Sequence, residues 1–271
     1  MSNEPPFSTD NSPRRSRIAP STERMAEWPW WLIVVIIIGL FISLQIVTNE
    51  RMSNIFRAIS AGIGITLRVT LFAYLAAVFI GLVVGFARVS RNKIIVNIAS
   101  FYVEVVRGVP ILVLLMYIAF VAVPLIAGWI GVSTREFPNE LRVIVGLAFA
   151  YGAFESEIFR AGIQSIEKGQ MEAARAIGMN YFQAMRYIIL PQAIRRVLPA
   201  LGNDFVAMLK DSSLVSVLGV PDITQITKLY AASTFLFFQS YSILAFIYLS
   251  MTILLSRLVR NLESRLSVYR T

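Results

Sequence analysis

Three ionisable residues interrupt an otherwise apolar stretch of this chain, residues 143–166; they are Glu155, Glu157 and Arg160. A charged side chain in the middle of a membrane-spanning helix costs about 2.5–3.5 kcal/mol, so such residues mark candidate functional sites. Glu157 and Arg160 are three residues apart, which places them on one face of a helix and allows them to pair. Glu155 faces elsewhere because it is two residues from Glu157. Glu157 and Arg160 are therefore candidates for lining a substrate path, with a structural ion pair as the alternative.

A second apolar stretch, residues 197–219, carries a run of four polar residues: Lys210, Asp211, Ser212 and Ser213. A carboxylate can accept a hydrogen bond from an ammonium group, and an ammonium or hydroxyl group can donate one to a carboxylate. The four residues are therefore further substrate-path candidates, against the alternative of charges at a helix end.

For three other charged residues, both a position along the substrate path and another role remain open. Asp204 could contact a partner subunit as readily as a substrate. Glu104 and Arg107 precede an uncharged run. An interfacial position is expected for both, with a position along the path as the alternative.

The elements that must position these residues are membrane helices. Hydrophobic residues make up 56% of the 271 residues and charged residues only 15%, whereas soluble domains have about 25% charged residues. The chain contains no Cys and no His, which excludes disulfide scaffolds, thiolate metal sites and histidine-based catalysis. Six runs are long and apolar enough to span a bilayer: 28–48, 69–87, 109–130, 143–166, 197–219 and 239–256. We predict an all-α, polytopic membrane protein with six transmembrane helices.

The basic residues set the expected orientation, because Lys and Arg concentrate in cytoplasmic segments. One alternating set of connecting segments holds 16 Lys and Arg residues, and the other set holds 5. Both termini are therefore predicted to be cytoplasmic. This distribution also explains the net charge of +9 without nucleic acid as a partner. Residues 1–27 are expected to be a disordered tail, and residues 263–271 a second cytoplasmic tail.

The longest predicted cytoplasmic connection, residues 164–196, is expected to be largely helical. Residues 171–177 favour a helix, and Gly178 followed by Asn180 predicts its end. Pro191 and Pro199 are expected to break or kink the chain beyond this point. A helix–loop–helix between two spans is therefore predicted.

This connection resembles the EAA loop of the permease subunits of bacterial ATP-driven (ABC) uptake transporters. The pattern of that loop is EAA, three residues, G, nine residues, then I-x-L-P. The matching positions here are Glu172, Ala173, Ala174, Gly178, Ile188, Leu190 and Pro191. The resemblance implies that this loop docks on a separate ATPase and passes its conformational change to the spans.

Three flanking segments narrow the resemblance to the polar amino acid permeases, the histidine and glutamine type. Residues 104–110 resemble their E-x-x-R-G-x-P segment, residues 156–163 their A-E-x-x-R-x-G-I segment with Ser156 in place of Ala, and residues 209–216 their L-K-D-[ST]-S-L-V-S segment. The resemblance covers about residues 59–262. It implies a five-helix permease domain, set at 55–262, to which the helix at 28–48 is an addition.

The resemblance also implies what this chain would work with. The expected partners are ABC ATPase subunits, a second permease subunit (identical or a paralogue), an extracytoplasmic amino acid-binding protein and membrane lipid. No cofactor is expected in this chain, since it has no phosphate-binding G-x-x-x-x-G-K-[ST] motif; the ATPase would bind ATP and Mg. The predicted function is transport of a polar L-amino acid across the bacterial inner membrane, without enzymatic activity of its own. The alternatives are a channel or gradient-driven carrier, which would need no ATPase, and a membrane-embedded enzyme.

Overall fold

A computed structural model describes residues 30–133 and 137–267, apart from the side chains of Trp31 and residues 265–267. The predicted tail at 1–27, the first two residues of the predicted first span and the last residues of the chain lie outside these ranges. Every regular element within them is helical. The α-helices are α1 Trp30–Thr48, α2 Glu50–Ser60, α3 Ile63–Arg88, α4 Lys93–Gly108, α5 Ile111–Tyr117, α6 Val123–Trp129, α7 Asn139–Gln164, α8 Lys168–Ala176, α9 Tyr181–Ala184, α10 Leu190–Asp211, α11 Ile223–Thr234 and α12 Phe237–Ser267.

Three short helical turns of other types connect some of these helices. Single π-helical turns, Ile118–Ala122 and Met185–Ile189, join α5 to α6 and α9 to α10, and a 3₁₀ helix, Ser212–Leu218, comes after α10. Such π turns occur frequently at functional sites.

The length and composition of several helices fit a membrane. The stretches Glu50–Arg88, Ile111–Trp129 and Phe237–Ser264 are long and apolar enough to cross one, and Leu32–Thr48 is a shorter apolar helix. With 26 and 22 residues, α7 and α10 also reach membrane length but carry charges. The prediction of an all-helical polytopic membrane protein is confirmed, while the count of six spans and the orientation stay predictions.

The described residues fall into two units, 30–44 and 45–267. The first unit contains most of α1, whose residues up to Leu44 are almost all apolar, and the side chains of Leu40 and Phe41 are more than half exposed. A helix that is apolar on all sides suits a lipid environment.

In the second unit, α3 and α7 form the closest helix pair, because glycines allow their backbones to approach. A Cβ atom added at Gly81 would lie 2.4 Å from the Cβ of Glu155, and one at Gly85 would lie 2.8 Å from the Cβ of Phe159. Around this pair, Leu115 of α5 and Met208 of α10 join a common buried core. These four helices therefore form the scaffold for the charged residues.

Helix α10 continues without interruption from Leu190 to Asp211. Neither Pro191 nor Pro199 breaks α10, so the predicted break does not occur. Pro191 lies in the first turn of α10, directly after the π turn Met185–Ile189, and Pro199 lies inside the helix. Burial of Val197 against Gly162 of α7 holds this region in place.

Candidate functional site

Glu157 is the centre of an ion triad that joins α3 and α7. It pairs with Arg160, as its spacing predicts, and also with Arg88 at the end of α3. The exposed fractions of the three side chains are 28%, 27% and 12%, so the triad is partly buried. Arg88 was missed by the sequence reasoning because it is 69 residues from Glu157; its position at the end of an apolar run was the available signal.

A pocket of about 410 Å³ lies beside this triad, between α4, α7 and α10. Its lining residues are Arg107, Phe154, Glu157, Ile158, Ala200, Asn203 and Asp204. The pocket therefore presents a guanidinium group, an amide and two carboxylates together. The guanidinium of Arg107 also lies 5.7 Å from the ring centre of Phe154, a cation–π distance. Arg107 is exposed and lines this pocket, whereas Glu104 is exposed and does not line it.

The polar run at the end of α10 lies outside this pocket. Asp211 accepts a 2.7 Å hydrogen bond from the hydroxyl of Tyr151, and Ser212 is buried and donates to the carbonyl of Leu209. Lys210 is exposed. The structure therefore does not bring Lys210, Asp211, Ser212 and Ser213 together with Glu157 and Arg160 around one pocket.

Glu155 is a buried carboxyl that the sequence reasoning did not select. Its exposed fraction is 0%, and neither of its oxygens has a hydrogen-bond partner in the structure. Its Cβ lies against α3, where a Cβ added at Gly81 would be 2.4 Å away.

Residues 164–196, called the coupling loop after the role proposed for them below, contain the helix that residues 171–177 predict, at Lys168–Ala176. Helix α8 ends in a left-handed turn at Gly178, whose φ is 87°. The N–H of Gly178 donates to Arg175 and that of Met179 donates to Ala174, the hydrogen-bond pattern of a Schellman cap. Asn180 then starts α9 with a capping box that includes Gln183. The predicted stop at Gly178 and Asn180 is confirmed.

Burial divides the motif residues of the coupling loop into two groups. Ala174 is buried, whereas Glu172, Ala173, Gly178 and Pro191 are exposed and Leu190 is partly buried. Ile177 and Phe182, on either side of the turn, are 74% and 73% exposed. A cavity of about 590 Å³ lies under α8, and its lining includes Arg88, Met171 and Met185. Arg88 therefore contacts both this cavity and, through Glu157, the pocket residues.

Residues 77–268 match the family of binding-protein-dependent transport system inner membrane components. The chain belongs to this family. It is a multi-pass inner-membrane permease subunit, a transport component without catalytic activity. Within residues 30–133 and 137–267, no group of three or more acidic side chains is placed to hold a metal ion.

Two relatives of known name align with most of this chain. The glutamine transport system permease protein GlnP of Escherichia coli (strain K12) is 35% identical over 76% of this chain and 92% of its own length. The histidine/lysine/arginine/ornithine transport system permease protein HisQ of Salmonella typhimurium is 34% identical over 75% of this chain and 91% of its own length.

Solved structures of ABC transporters contain chains with a similar fold. An amino acid ABC transporter crystallised with histidines contains a chain with a TM-score of 0.71 and 39% identity, over 79% of this chain and 97% of that chain. The inward-facing MetNI methionine ABC transporter shares the fold, with a TM-score of 0.67 at 21% identity over 81% of this chain and 99% of that chain.

Proposed function

We propose that this permease carries a polar L-amino acid along a path that includes the pocket of Arg107, Glu157, Asn203 and Asp204. The observation that carries the proposal is the presence of both charge signs in one pocket between helices of membrane length. An amino acid brings a carboxylate and an ammonium group, and each needs a charged partner when it leaves water. The names of GlnP and HisQ, which transport amino acids, support this substrate class.

The guanidinium groups have a distinct role in this proposal. Arg107 has no carboxylate partner among the described residues, so it is available to a substrate carboxylate. Arg160 is held by Glu157 and Gln164, and we assign it to positioning Glu157. Glu157 carries two guanidinium partners, so a substrate ammonium at Glu157 would compete with them.

We further propose that the coupling loop docks on an ATPase subunit that binds ATP and Mg. The docking residues are Glu172, Ala173, Ala174, Gly178, Leu190 and Pro191. Exposed Glu172 offers a carboxylate for a basic group of the partner, and the exposed side chains of Ile177 and Phe182 offer apolar area. Buried Ala174 acts by fixing α8 against the rest of the loop.

Two findings support the other components of this proposal: the family description names a binding protein, and a solved relative at 39% identity is part of an amino acid ABC transporter. We propose that a second permease subunit, identical or a paralogue, completes the path. An extracytoplasmic amino acid-binding protein would deliver the substrate, and lipid would surround the exposed apolar helices.

The test is uptake of labelled amino acids into proteoliposomes that contain the complete transporter, with and without ATP. Uptake of a polar amino acid that depends on ATP is expected. Uptake that proceeds without ATP would instead favour the gradient-driven carrier. Replacing Glu172 by Lys should reduce co-purification of the ATPase, whereas Glu50→Lys, at an exposed carboxylate outside the coupling loop, should not.

A further inference from the structure

Arg88 lies between the pocket and the coupling loop. Its guanidinium pairs with Glu157, which lines the pocket together with Arg107 and Asp204. The same residue lines the cavity of about 590 Å³ under α8, and its side chain is the most buried of the triad. Any event that releases Arg88 from Glu157 therefore frees a guanidinium group beside the coupling loop.

A second carboxylate, that of Glu167, lines the cavity with Arg88. Glu167 directly precedes α8, but its side chain makes no capping hydrogen bond to that helix. It forms no ion pair with any described residue, and this includes Lys168, the neighbouring cation in the cavity lining. Glu167 is therefore available as an alternative partner for Arg88.

Of the two guanidinium groups that Glu157 holds, that of Arg88 has fewer other contacts. Arg160 is on the same helix as Glu157 and also donates a 2.6 Å hydrogen bond to Gln164. Arg88 comes from another helix, and among the described residues Glu157 is its one ion-pair partner. A cation that enters the pocket and bonds to Glu157 therefore displaces Arg88 more easily than Arg160.

We propose that Arg88 is a positioning residue for transport, which exchanges Glu157 for Glu167 when the ammonium group of an amino acid occupies the pocket. The inference rests on the proposed function, because it requires an amino acid at Glu157. An ammonium group has three N–H donors, so it can bond to Glu157 and Asp204 together. The released guanidinium of Arg88 binds Glu167 and draws the start of α8 toward the end of α3. Occupancy of the pocket thereby changes the position of the helix that carries Glu172.

The exchange leaves fewer charges without partners than before. In the structure, neither Asp204 nor Glu167 forms an ion pair with a described residue. After the exchange, the ammonium group lies between Asp204 and Glu157, and Arg88 lies against Glu167. Because one ion pair of Arg88 replaces another, the amino acid has to supply only the difference between them.

The first test measures equilibrium binding of labelled L-glutamine, L-histidine and L-arginine to the purified full-length permease with its ATPase. The binding protein is omitted, because it would bind the amino acid itself. Arg88→Gln should tighten binding by about three- to tenfold, since the ammonium group no longer competes with that guanidinium for Glu157. Glu167→Gln should weaken binding by about two- to threefold, since the released Arg88 has lost its second partner. The double variant should bind like Arg88→Gln. A merely structural role of Arg88 predicts no tightening.

The second test measures ATP hydrolysis by the complete transporter in proteoliposomes, with and without a saturating amino acid. The amino acid should stimulate hydrolysis by the unchanged transporter. Arg88→Gln and Glu167→Gln should each remove most of this stimulation, and the double variant should remove no more than either alone, because both changes break the same contact.

Arg91→Gln and Glu104→Gln are the matched controls. The guanidinium of Arg91, three residues after Arg88, lies 5.0 Å from the ring centre of Tyr181, and Arg91 does not line the cavity. Glu104 is exposed and lines neither the cavity nor the pocket. Both variants should keep the affinity and the stimulation of the unchanged transporter. Glu167 is exposed, so Glu167→Gln tests the proposal even where Arg88→Gln lowers the yield.

Three results would overturn the inference. Unchanged or weaker binding by Arg88→Gln would refute the exchange at Glu157 but leave the proposed amino acid transport standing. Affinity and stimulation that both survive Glu167→Gln would exclude Glu167 as the second partner. Absence of binding for every amino acid, together with absence of ATP-dependent uptake, would refute the proposed function as well.

Discussion

The α3–α7 interface and the coupling loop both depend on glycines, but for different physical reasons. At the interface, Gly81 and Gly85 let two helices approach so closely that a single added Cβ would collide with the partner. In the loop, a Cβ at Gly178 would meet nothing within 4 Å, and the constraint is instead the left-handed backbone. At the interface the glycines are required because no space is left for a side chain, and in the loop Gly178 is required because of its backbone conformation. Substitutions should therefore lower the stability of the interface and change the shape of the loop.

The largest effect is expected at the interface. Gly81→Leu places a side chain where the Cβ of Glu155 already lies at 2.4 Å. The helices must separate, so the free energy of unfolding should fall by about 1–3 kcal/mol or more. Thermal unfolding and yield of the purified permease in detergent measure this loss. Gly64→Leu is the control on the same helix, since a Cβ at Gly64 meets nothing within 4 Å. Equal stability of the two variants would show that the close approach is not what limits the packing.

An intermediate effect is expected at the ion triad, which links the interface to the loop. Glu157→Gln leaves two guanidinium groups without their carboxylate partner, so the free energy of unfolding should fall by about 1–2 kcal/mol, because the triad is partly exposed. Adding Arg160→Gln should restore only part of this loss because Arg88, the most buried member, still lacks Glu157. Thermal unfolding of the single, double and triple variants, the last with Arg88→Gln, separates these contributions.

The exposed pair of Arg68 and Glu140 provides the comparison for the triad. Glu140→Gln should lower the free energy of unfolding by less than about 1 kcal/mol, as is usual for surface ion pairs. Full recovery of stability in the Glu157→Gln, Arg160→Gln double variant would contradict the role of Arg88.

The smallest effect on stability is expected at the coupling loop. Gly178→Ala forces a side chain into the left-handed region, a strain of about 1–2 kcal/mol that the exposed turn relieves by changing its shape. Unfolding of the whole permease should change little, but ATP hydrolysis should become less coupled to uptake in proteoliposomes. Gly178→Asn should retain coupling better, because Asn tolerates this conformation. Gly169→Ala in α8 is the control, with ordinary φ and open space. If the Gly178→Ala variant couples ATP hydrolysis to uptake as well as the unchanged permease does, the shape of the turn is not what the ATPase recognises.

Local sequence patterns predicted the local geometry of this permease. The Glu157–Arg160 pair follows from helical spacing, and the turn at Gly178 follows from helix-stop residues. The partners from distant segments, Arg88, Arg107 and Asp204, could not be deduced, because their proximity depends on which helix faces pack together.

The search for long apolar runs also missed three helices, α2, α4 and α11. Each carries charged residues that interrupt the apolar run that the search required. In α4, exposed Ile94, Ile98 and Phe101 recur at helical spacing, a periodicity that could have revealed the helix.

The unbroken course of α10 has a mechanical consequence. The helix begins in the coupling loop at Leu190 and continues past Pro199 to Asp211, so Asp204 lies about 21 Å from its start at roughly 1.5 Å per residue. A tilt of about 10° at the loop end would then displace Asp204 by roughly 4 Å, more than the length of a hydrogen bond. A continuous helix of this length turns a small rotation at its loop end into the making or breaking of contacts near Asp204.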